Sequence, residues 1–276
     1  MNGVFPVLDG LGATRDTLHL YAQAVDAFPR AHAEPHDKWW HIGLRLRPNG
    51  FTTAEMPLPD GGTFRLFMNF KTHRIELEAR NAVVASWDMS ARWTGKALGE
   101  SLMAAVGALG VRGEYSRERF ESDAPRAYDK WAAAAWFAAA SLASEVFEAL
   151  RVAVGGETSP VHLWPHHFDL STEFFGTRTV DVQEHGEVKS YPAQLNLGFS
   201  TGDAGHPGPY FYSNPYPFDE SLVREPLPEG ARWHIGAWKG SLLPYSEVAG
   251  RPDGVKLLAG YAEAVYKAAK AGLGLA

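Results

Sequence analysis

The stretch WHIGLRLR, residues 40–47, points to the fold, because its apolar and polar side chains alternate with a period of two. Alternation of this kind predicts a half-buried β-strand, with His41, Arg45 and Arg47 on the face away from the core. The same alternation follows at residues 64–70 and 75–79, after the turn sequence DGG at 60–62. These segments predict a meander of antiparallel strands.

A similar arrangement returns later in the chain. Residues 167–174 alternate again, with His167, Asp169 and Glu173 on the non-core face. Apolar spacing of 3.6 residues and end signals predict four helices. Further strands are predicted at 195–199, 210–213 and 233–238, and one strand before each opening helix at 4–8 and 111–115. The predicted helices cover about 14–28, ending at Pro29, then 95–109 after a Thr94 cap, 129–154 and 254–271.

We therefore predict an α+β fold of two similar halves, each an antiparallel sheet with flanking helices. The predicted halves are residues 1–112 and 128–276, joined by a charged linker at 113–127. A short echo, WWH at 39–41 and WPH at 164–166, supports an internal duplication with pseudo-twofold symmetry.

Composition limits the class of protein. The net charge is −6 and Lys and Arg do not cluster, which argues against a nucleic-acid partner. The most apolar stretch, residues 131–143, is mostly Ala and is followed by Glu145 and Glu148, so it predicts a buried helix and no membrane span. The chain has no Cys, and residues 1–12 lack the pattern of a signal peptide. We expect a cytoplasmic protein.

The richest polar segment is HLWPHHFD, residues 162–169. On a strand, His162 and His166 would lie about 13 Å apart, too far to share one metal ion, although a bend at Pro165 would bring them closer. The sequence GFSTG at 198–202 has the spacing of a nucleophile elbow, but no helix can follow it. No nucleotide-binding or zinc-protease motif occurs. We predict neither a metal nor a cofactor.

Several short motifs carry a resemblance to a known family. The sequence SPVHLW at 159–164, followed by FDL at 168–170, resembles a bacterial family of uncharacterised proteins with a domain of unknown function. Matches continue in order across nearly the whole chain, at 16–20, 39–41, 52–53, 128–129 and 243–245.

Two segments depart from the family pattern. Members usually carry a His-containing stretch shortly before the pair Gly198-Phe199, where this chain has YPAQ at 191–194. Their basic, Ser-containing stretch corresponds here to FFGTR at 174–178. If the family uses a His in the first stretch, this chain lacks it. The resemblance implies no particular activity.

The non-core faces of the two leading strands suggest a site. If the halves are related by a pseudo-twofold axis, a cationic face with Arg45 would meet an acidic face with Asp169 across a groove. Such a surface is either an ordinary ion-pair network or a ligand groove with aromatic walls. The stiff run PYFYSNPYPF at 209–218 would be a lid on the core, a rim of that pocket or a partner surface.

The leading hypothesis is that a small organic molecule binds in this groove. Aromatic walls would come from Trp40, Trp164, Tyr210 and Tyr212, and polar contacts from His41, His162 and Asp169. One alternative is an acid–base enzyme with His41 or His162 as base, oriented by Asp169. Another is a structural or protein-interaction role without a ligand. The complete set of candidate ligand-binding residues is Trp40, His41, Ser159, His162, Trp164, Asp169, Tyr210 and Tyr212.

Overall fold

The computed structural model describes residues 3–184, 186–203 and 205–276. Within these ranges the chain forms four α-helices and twelve strands, and the fold is α+β. The helices are α1 (Leu11–His32), α2 (Gly95–Ala108), α3 (Lys130–Val154) and α4 (Gly254–Leu273). The strands are β1 (Leu44–Arg47), β2 (Gly50–Thr52), β3 (Met56–Pro57), β4 (Thr63–Asn69), β5 (Arg74–Ala79), β6 (Ala82–Asp88), β7 (His162–Trp164), β8 (Asp169–Glu184), β9 (Glu187–Ser200), β10 (Tyr210–Tyr216), β11 (Arg232–Ile235) and β12 (Lys239–Pro244).

The described chain divides into two compact units. The N-terminal unit comprises residues 8–138 and 162–168, and the C-terminal unit comprises the chain up to Val7, residues 139–161 and residues 169–276. The division therefore falls inside α3. The halves predicted from the sequence, 1–112 and 128–276 with a linker at 113–127, have other boundaries and stay a prediction.

The N-terminal unit contains an antiparallel sheet in the order β7-β1-β2-β4-β5-β6, with β3 paired to β4. One row of its register joins Phe51, Met68 and Ile75, and all three side chains are fully buried. Helix α1 buries Leu18, Tyr21, Val25 and Phe28 on one side, as helical spacing predicts. The alternation predicted for β4 and β5 is confirmed.

The strand predicted at residues 40–47 is shorter than expected. Trp39 has a positive φ of 60°, and the amide of Ile42 donates to the carbonyl of Trp39 at 3.1 Å, so residues 39–42 turn and the strand begins at Leu44. Arg45 and Arg47 share a face of β1, but His41 lies outside the strand. Residues 4–8 and 111–115 are not strands either.

Helix ends follow local chemistry closely. The Thr94 hydroxyl accepts from the amide of Ala97 and caps α2, as predicted, and Asp129 caps α3 through the amides of residues 131 and 132.

The prediction that α1 ends at Pro29 is wrong. Proline lacks an N–H, but its carbonyl still accepts from Ala33 at 3.0 Å, so the helix continues to His32. Trp131 is not a core residue, since it is 86% exposed.

The C-terminal unit contains strands in the order β11-β12-β10-β9-β8, again antiparallel. Helix α4 packs on β8, β9 and β10. A buried chain of hydroxyls joins the layers: Ser213 Oγ lies 2.7 Å from Ser241 Oγ, which lies 2.7 Å from Tyr261 Oη on α4. These bonds satisfy polar groups that would otherwise be costly to bury.

Strand β8 begins at Asp169, two residues later than the start at His167 that the sequence predicted. From there Leu170, Thr172 and Phe174 are buried, which confirms the predicted alternation. The register slips between Phe175 and Thr179, and beyond it β8 and β9 form a two-stranded ribbon, residues 179–184 and 187–192, with mostly exposed side chains. Among the described helices, none combines the length and apolar character that crossing a membrane requires.

Candidate functional site

Tyr212 and Asp169 form the centre of a polar and aromatic surface in the C-terminal unit. On β10, Phe211 and Ser213 point toward α4, so Tyr210 and Tyr212 point to the opposite face of the sheet. The Tyr212 hydroxyl donates to Asp169 Oδ2 across β9. Burial, and then the charge of Asp169, raises the pKa of Tyr212 well above its ordinary value, so this hydroxyl remains a proton donor.

A glycine makes this contact possible. Gly198 lies on β9 between the two partners, in register with Tyr212 and with Ser171. A Cβ atom on Gly198 would lie 2.4 Å from Cζ of Tyr212. The tyrosine ring therefore lies flat against the β9 backbone, where any side chain would displace it.

Tyr210 makes a second hydroxyl–carboxylate contact beside the first. Its Oη donates to Asp203 Oδ2 at 2.7 Å, and the amides of Gly205 and His206 donate to Asp203 Oδ1. Burial alone would raise the pKa of Asp203, but these hydrogen bonds outweigh it and lower that pKa. The rings of Tyr210 and Tyr212 lie 6.2 Å apart.

Two further histidines and a tryptophan extend this surface. The ring of His206 lies 5.3 Å from Tyr210 and 5.2 Å from His234, and the ring of His234 lies 4.4 Å from Trp238. Trp238 in turn lies 6.4 Å from Tyr212. We call this set the tyrosine cluster; its members are Asp169, Asp203, His206, Tyr210, Tyr212, His234 and Trp238.

The sequence analysis named three members of the tyrosine cluster and missed four. Asp203 and His206 lie in the loop after β9, which sequence spacing does not place. The strand predicted at 233–238 ends at Ile235, because the chain turns there and the amide of Gly236 donates to the carbonyl of Trp238 at 3.1 Å. This turn brings His234 and Trp238 together, and a strand through both residues would have kept them apart.

Ser159 belongs to the same unit but has a different role in the fold. Its side chain is fully buried, and its Oγ donates to the carbonyl of Pro160 and accepts from the amide of Glu173, both at 2.9 Å. Its carbonyl accepts from Arg151 Nε at 2.8 Å and from the hydroxyl of Thr172 at 3.0 Å. These bonds fasten the end of α3 to β8.

The remaining predicted residues lie in the N-terminal unit. Trp40 stacks on His36 with ring centres 4.4 Å apart, and His41 Nδ1 accepts from the amide of His36 at 3.1 Å. Burial, followed by the charges of Arg30 and His36, lowers the pKa of His41. The aromatic and imidazole groups before β1 therefore form a local stack in the turn that precedes the strand.

His162 is fully buried on β7, opposite Arg45 of β1. A Cβ atom on Gly43 would lie 2.8 Å from Cγ of His162, so the imidazole packs directly on the backbone there. Its ring meets Trp164 edge-on at 4.4 Å. This brings two predicted residues into contact within one unit.

A tight turn follows Trp164. The amide of Phe168, which has a positive φ of 56°, donates to the carbonyl of Trp164 at 2.8 Å. The sequence analysis left open whether the chain bends at Pro165, and this turn is that bend. Across the described residues, no three His, Asp or Glu side chains are arranged to hold a metal ion.

The chain belongs to DUF5996, a family of unknown function whose sequence pattern matches residues 6–274. This confirms the resemblance drawn from the short motifs. No curated protein matches the chain, and no solved structure does.

Proposed function

We propose that the chain binds a small organic molecule at the tyrosine cluster. The observation that carries this proposal is the pair of neighbouring tyrosines, Tyr210 and Tyr212, on the sheet face opposite α4, each with a hydroxyl that donates to its own carboxylate. Ligand sites typically combine aromatic walls with a few precisely placed polar groups. Ordinary structural ion pairs do not need two aromatic hydroxyls side by side.

The chemistry of the cluster favours a ligand with a ring and a donor group. The ring of Tyr212 lies between two others, with its centre 6.2 Å from that of Tyr210 and 6.4 Å from that of Trp238. Two carboxylates, Asp169 and Asp203, accept hydrogen bonds and attract positive charge, and aromatic faces attract cations as well. A small aromatic or cyclic compound that carries an amine or hydroxyl group fits this combination.

The other candidate ligand-binding residues named from the sequence, Trp40, His41, Ser159, His162 and Trp164, remain a prediction. The internal duplication, the cytoplasmic location and the absence of a nucleic-acid partner also remain proposals. The two units, which each combine antiparallel strands with helices, support the duplication. The acidic composition argues against a nucleic-acid partner.

Thermal unfolding in the presence of small ligands tests the proposal. The probes are a panel of ring compounds of fewer than about fifteen heavy atoms, each with one amine, hydroxyl or carboxylate group. Ligand bound at a concentration of 100 Kd stabilises the folded state by about 2.7 kcal/mol, which is an easily measured rise in Tm. We expect an amine or hydroxyl compound to raise Tm.

Matched variants locate the site. Tyr212→Phe and Asp169→Asn remove the central contact, and we expect either change to abolish the ligand-induced rise in Tm. Tyr191→Phe is the control, because Tyr191 donates to Glu184 at 2.9 Å in the same way but on the exposed ribbon. The proposal fails if no compound shifts the wild-type Tm, or if the shift survives in Tyr212→Phe and Asp169→Asn.

A further inference from the structure

The turn at residues 164–168 places an unusual group of imidazoles in the N-terminal unit, and we call it the imidazole turn. The hydrogen bond between the amide of Phe168 and the carbonyl of Trp164 closes it. As a result the rings of His166 and His167 lie 4.5 Å apart, and the ring of Trp164 meets His166 at 5.5 Å.

Helix α1 contributes a third imidazole. His19 Nε2 lies 3.3 Å from the carbonyl oxygen of His166 and 2.9 Å from Nε2 of Gln23. The His19 ring also stacks on Phe168 at 5.6 Å, and Phe168 stacks on the buried ring of Trp136 at 4.7 Å. The turn is therefore held in one position against α1, with its histidines at a fixed site.

The charges around this turn are predominantly positive. The pKa of His166 is lowered to about 4, first by burial and then by the positive charges of His167, Arg119, Arg30 and His19, in that order. Two acids in this part of the unit, Asp26 and Asp16, are already paired with arginines. Asp26 is buried and accepts from Arg30 Nε at 2.5 Å, and Asp16 acts on His19 but is itself paired with Arg15.

His166 also has an unused polar atom. Its Nδ1 is buried and makes no hydrogen bond to any residue that the structure describes. A buried polar atom without a partner costs free energy, which a ligand that supplies the partner would recover. Guanidinium groups and imidazole N–H groups together are the usual donors to oxyanions.

We propose that the imidazole turn binds an oxyanion, a phosphate or carboxylate group, at His166 with Arg119 and Arg30 supplying the charge. Arg119 is exposed in the segment before α3 and its charge acts on His166, while Arg30 is held by Asp26. This site is independent of the tyrosine cluster, since every residue in it belongs to the N-terminal unit.

Histidine NMR of the full chain tests this proposal, with inorganic phosphate and succinate as separate probes. An anion beside His166 favours its protonated form, so we expect either probe to raise the titration midpoint of His166 by about one pH unit, equal to tenfold tighter binding to the protonated form. A response to phosphate alone assigns a phosphate site, and a response to succinate alone assigns a carboxylate site. No response to either probe overturns the proposal.

Paired arginine variants show whether the binding is specific. We expect Arg119→Ala to weaken binding about fivefold, as loss of one exposed charge contact does. Arg117→Ala is the control, because Arg117 is also exposed in the same segment but does not act on His166. Equal weakening by both changes would mean diffuse attraction to positive charge and would contradict a site at His166. The resonance shifts of the other histidines report whether each variant is folded.

Discussion

Gly198 illustrates how one missing side chain determines a contact between two others. Its backbone lies under the Tyr212 ring, and that position lets the hydroxyl cross β9 and reach Asp169 on β8. A side chain on residue 198 and the ring of Tyr212 cannot occupy the same space. The tyrosine cluster therefore depends on a residue that carries no functional group.

The substitution Gly198→Ala tests this dependence. We expect it to destabilise the fold by about 1–3 kcal/mol, the usual cost of overpacking, and to displace Tyr212 from Asp169. Gly208→Ala is the control, because a Cβ atom there meets nothing within 4 Å. Urea unfolding gives the free energies, and an unchanged free energy for Gly198→Ala would contradict the described packing.

At the scale of elements, the cap of α3 is a feature with a measurable cost. Asp129 accepts from the amides of Trp131 and Ala132 at 2.8 and 2.9 Å, and its charge is favourable at a helix N-terminus. We expect Asp129→Ala to lower the free energy of unfolding by about 1 kcal/mol. The exposed Asp123 in the same connecting segment makes no such bond, so Asp123→Ala serves as the reference and has little effect in the same assay.

Elements differ in how well the sequence predicts them, and the reason is locality. The cap residue and the apolar spacing of α2 lie within one short segment, so its bounds follow directly. Strand β6 was missed because apolar side chains also stand at its exposed positions. Val83 and Val84 are both exposed, so the sequence of this edge strand does not alternate between apolar and polar residues. The turns at Trp39 and Phe168 need positive φ angles, and neither tryptophan nor phenylalanine is a residue type that predicts such an angle.

The candidate site was harder to predict than the fold for a related reason. Tyr212 and Asp169 are 43 residues apart in the chain, and His206, in the loop after β9, meets His234 on β11. Their contacts depend on strand register and loop paths, which a short sequence window does not contain. Alternation assigned Asp169 to the non-core face of its strand, but it could not pair Asp169 with Tyr212.

At the scale of the whole molecule, partly buried histidines predict sensitivity to acid. In the part of the chain that the structure describes, six have lowered pKa values, with burial as the main cause: His19, His32, His41, His73, His166 and His234. The fold therefore binds fewer protons than the unfolded chain below pH 6.5. Their contribution to stability is complete above that pH and declines as the pH falls toward 4.

We expect the free energy of unfolding to decrease from pH 7 to pH 5, measured by urea titration at fixed ionic strength. Asp26 acts in the opposite direction, because burial raises its pKa to about 6 despite its contact with Arg30. The substitution Asp26→Asn removes this opposing effect, so the free energy of unfolding should decrease more steeply from pH 7 to pH 5. A stability that is level or rises toward pH 5 would contradict the burial of these histidines.

The β8–β9 ribbon offers a practical use that follows from the composition. The chain contains no cysteine, so a thiol introduced at Val188, which is 65% exposed on the ribbon, would be unique in the molecule. A fluorophore or spin label would react at that one position only, on a ribbon whose side chains are mostly exposed. The ribbon is thus a ready attachment point for optical and magnetic resonance experiments on this protein.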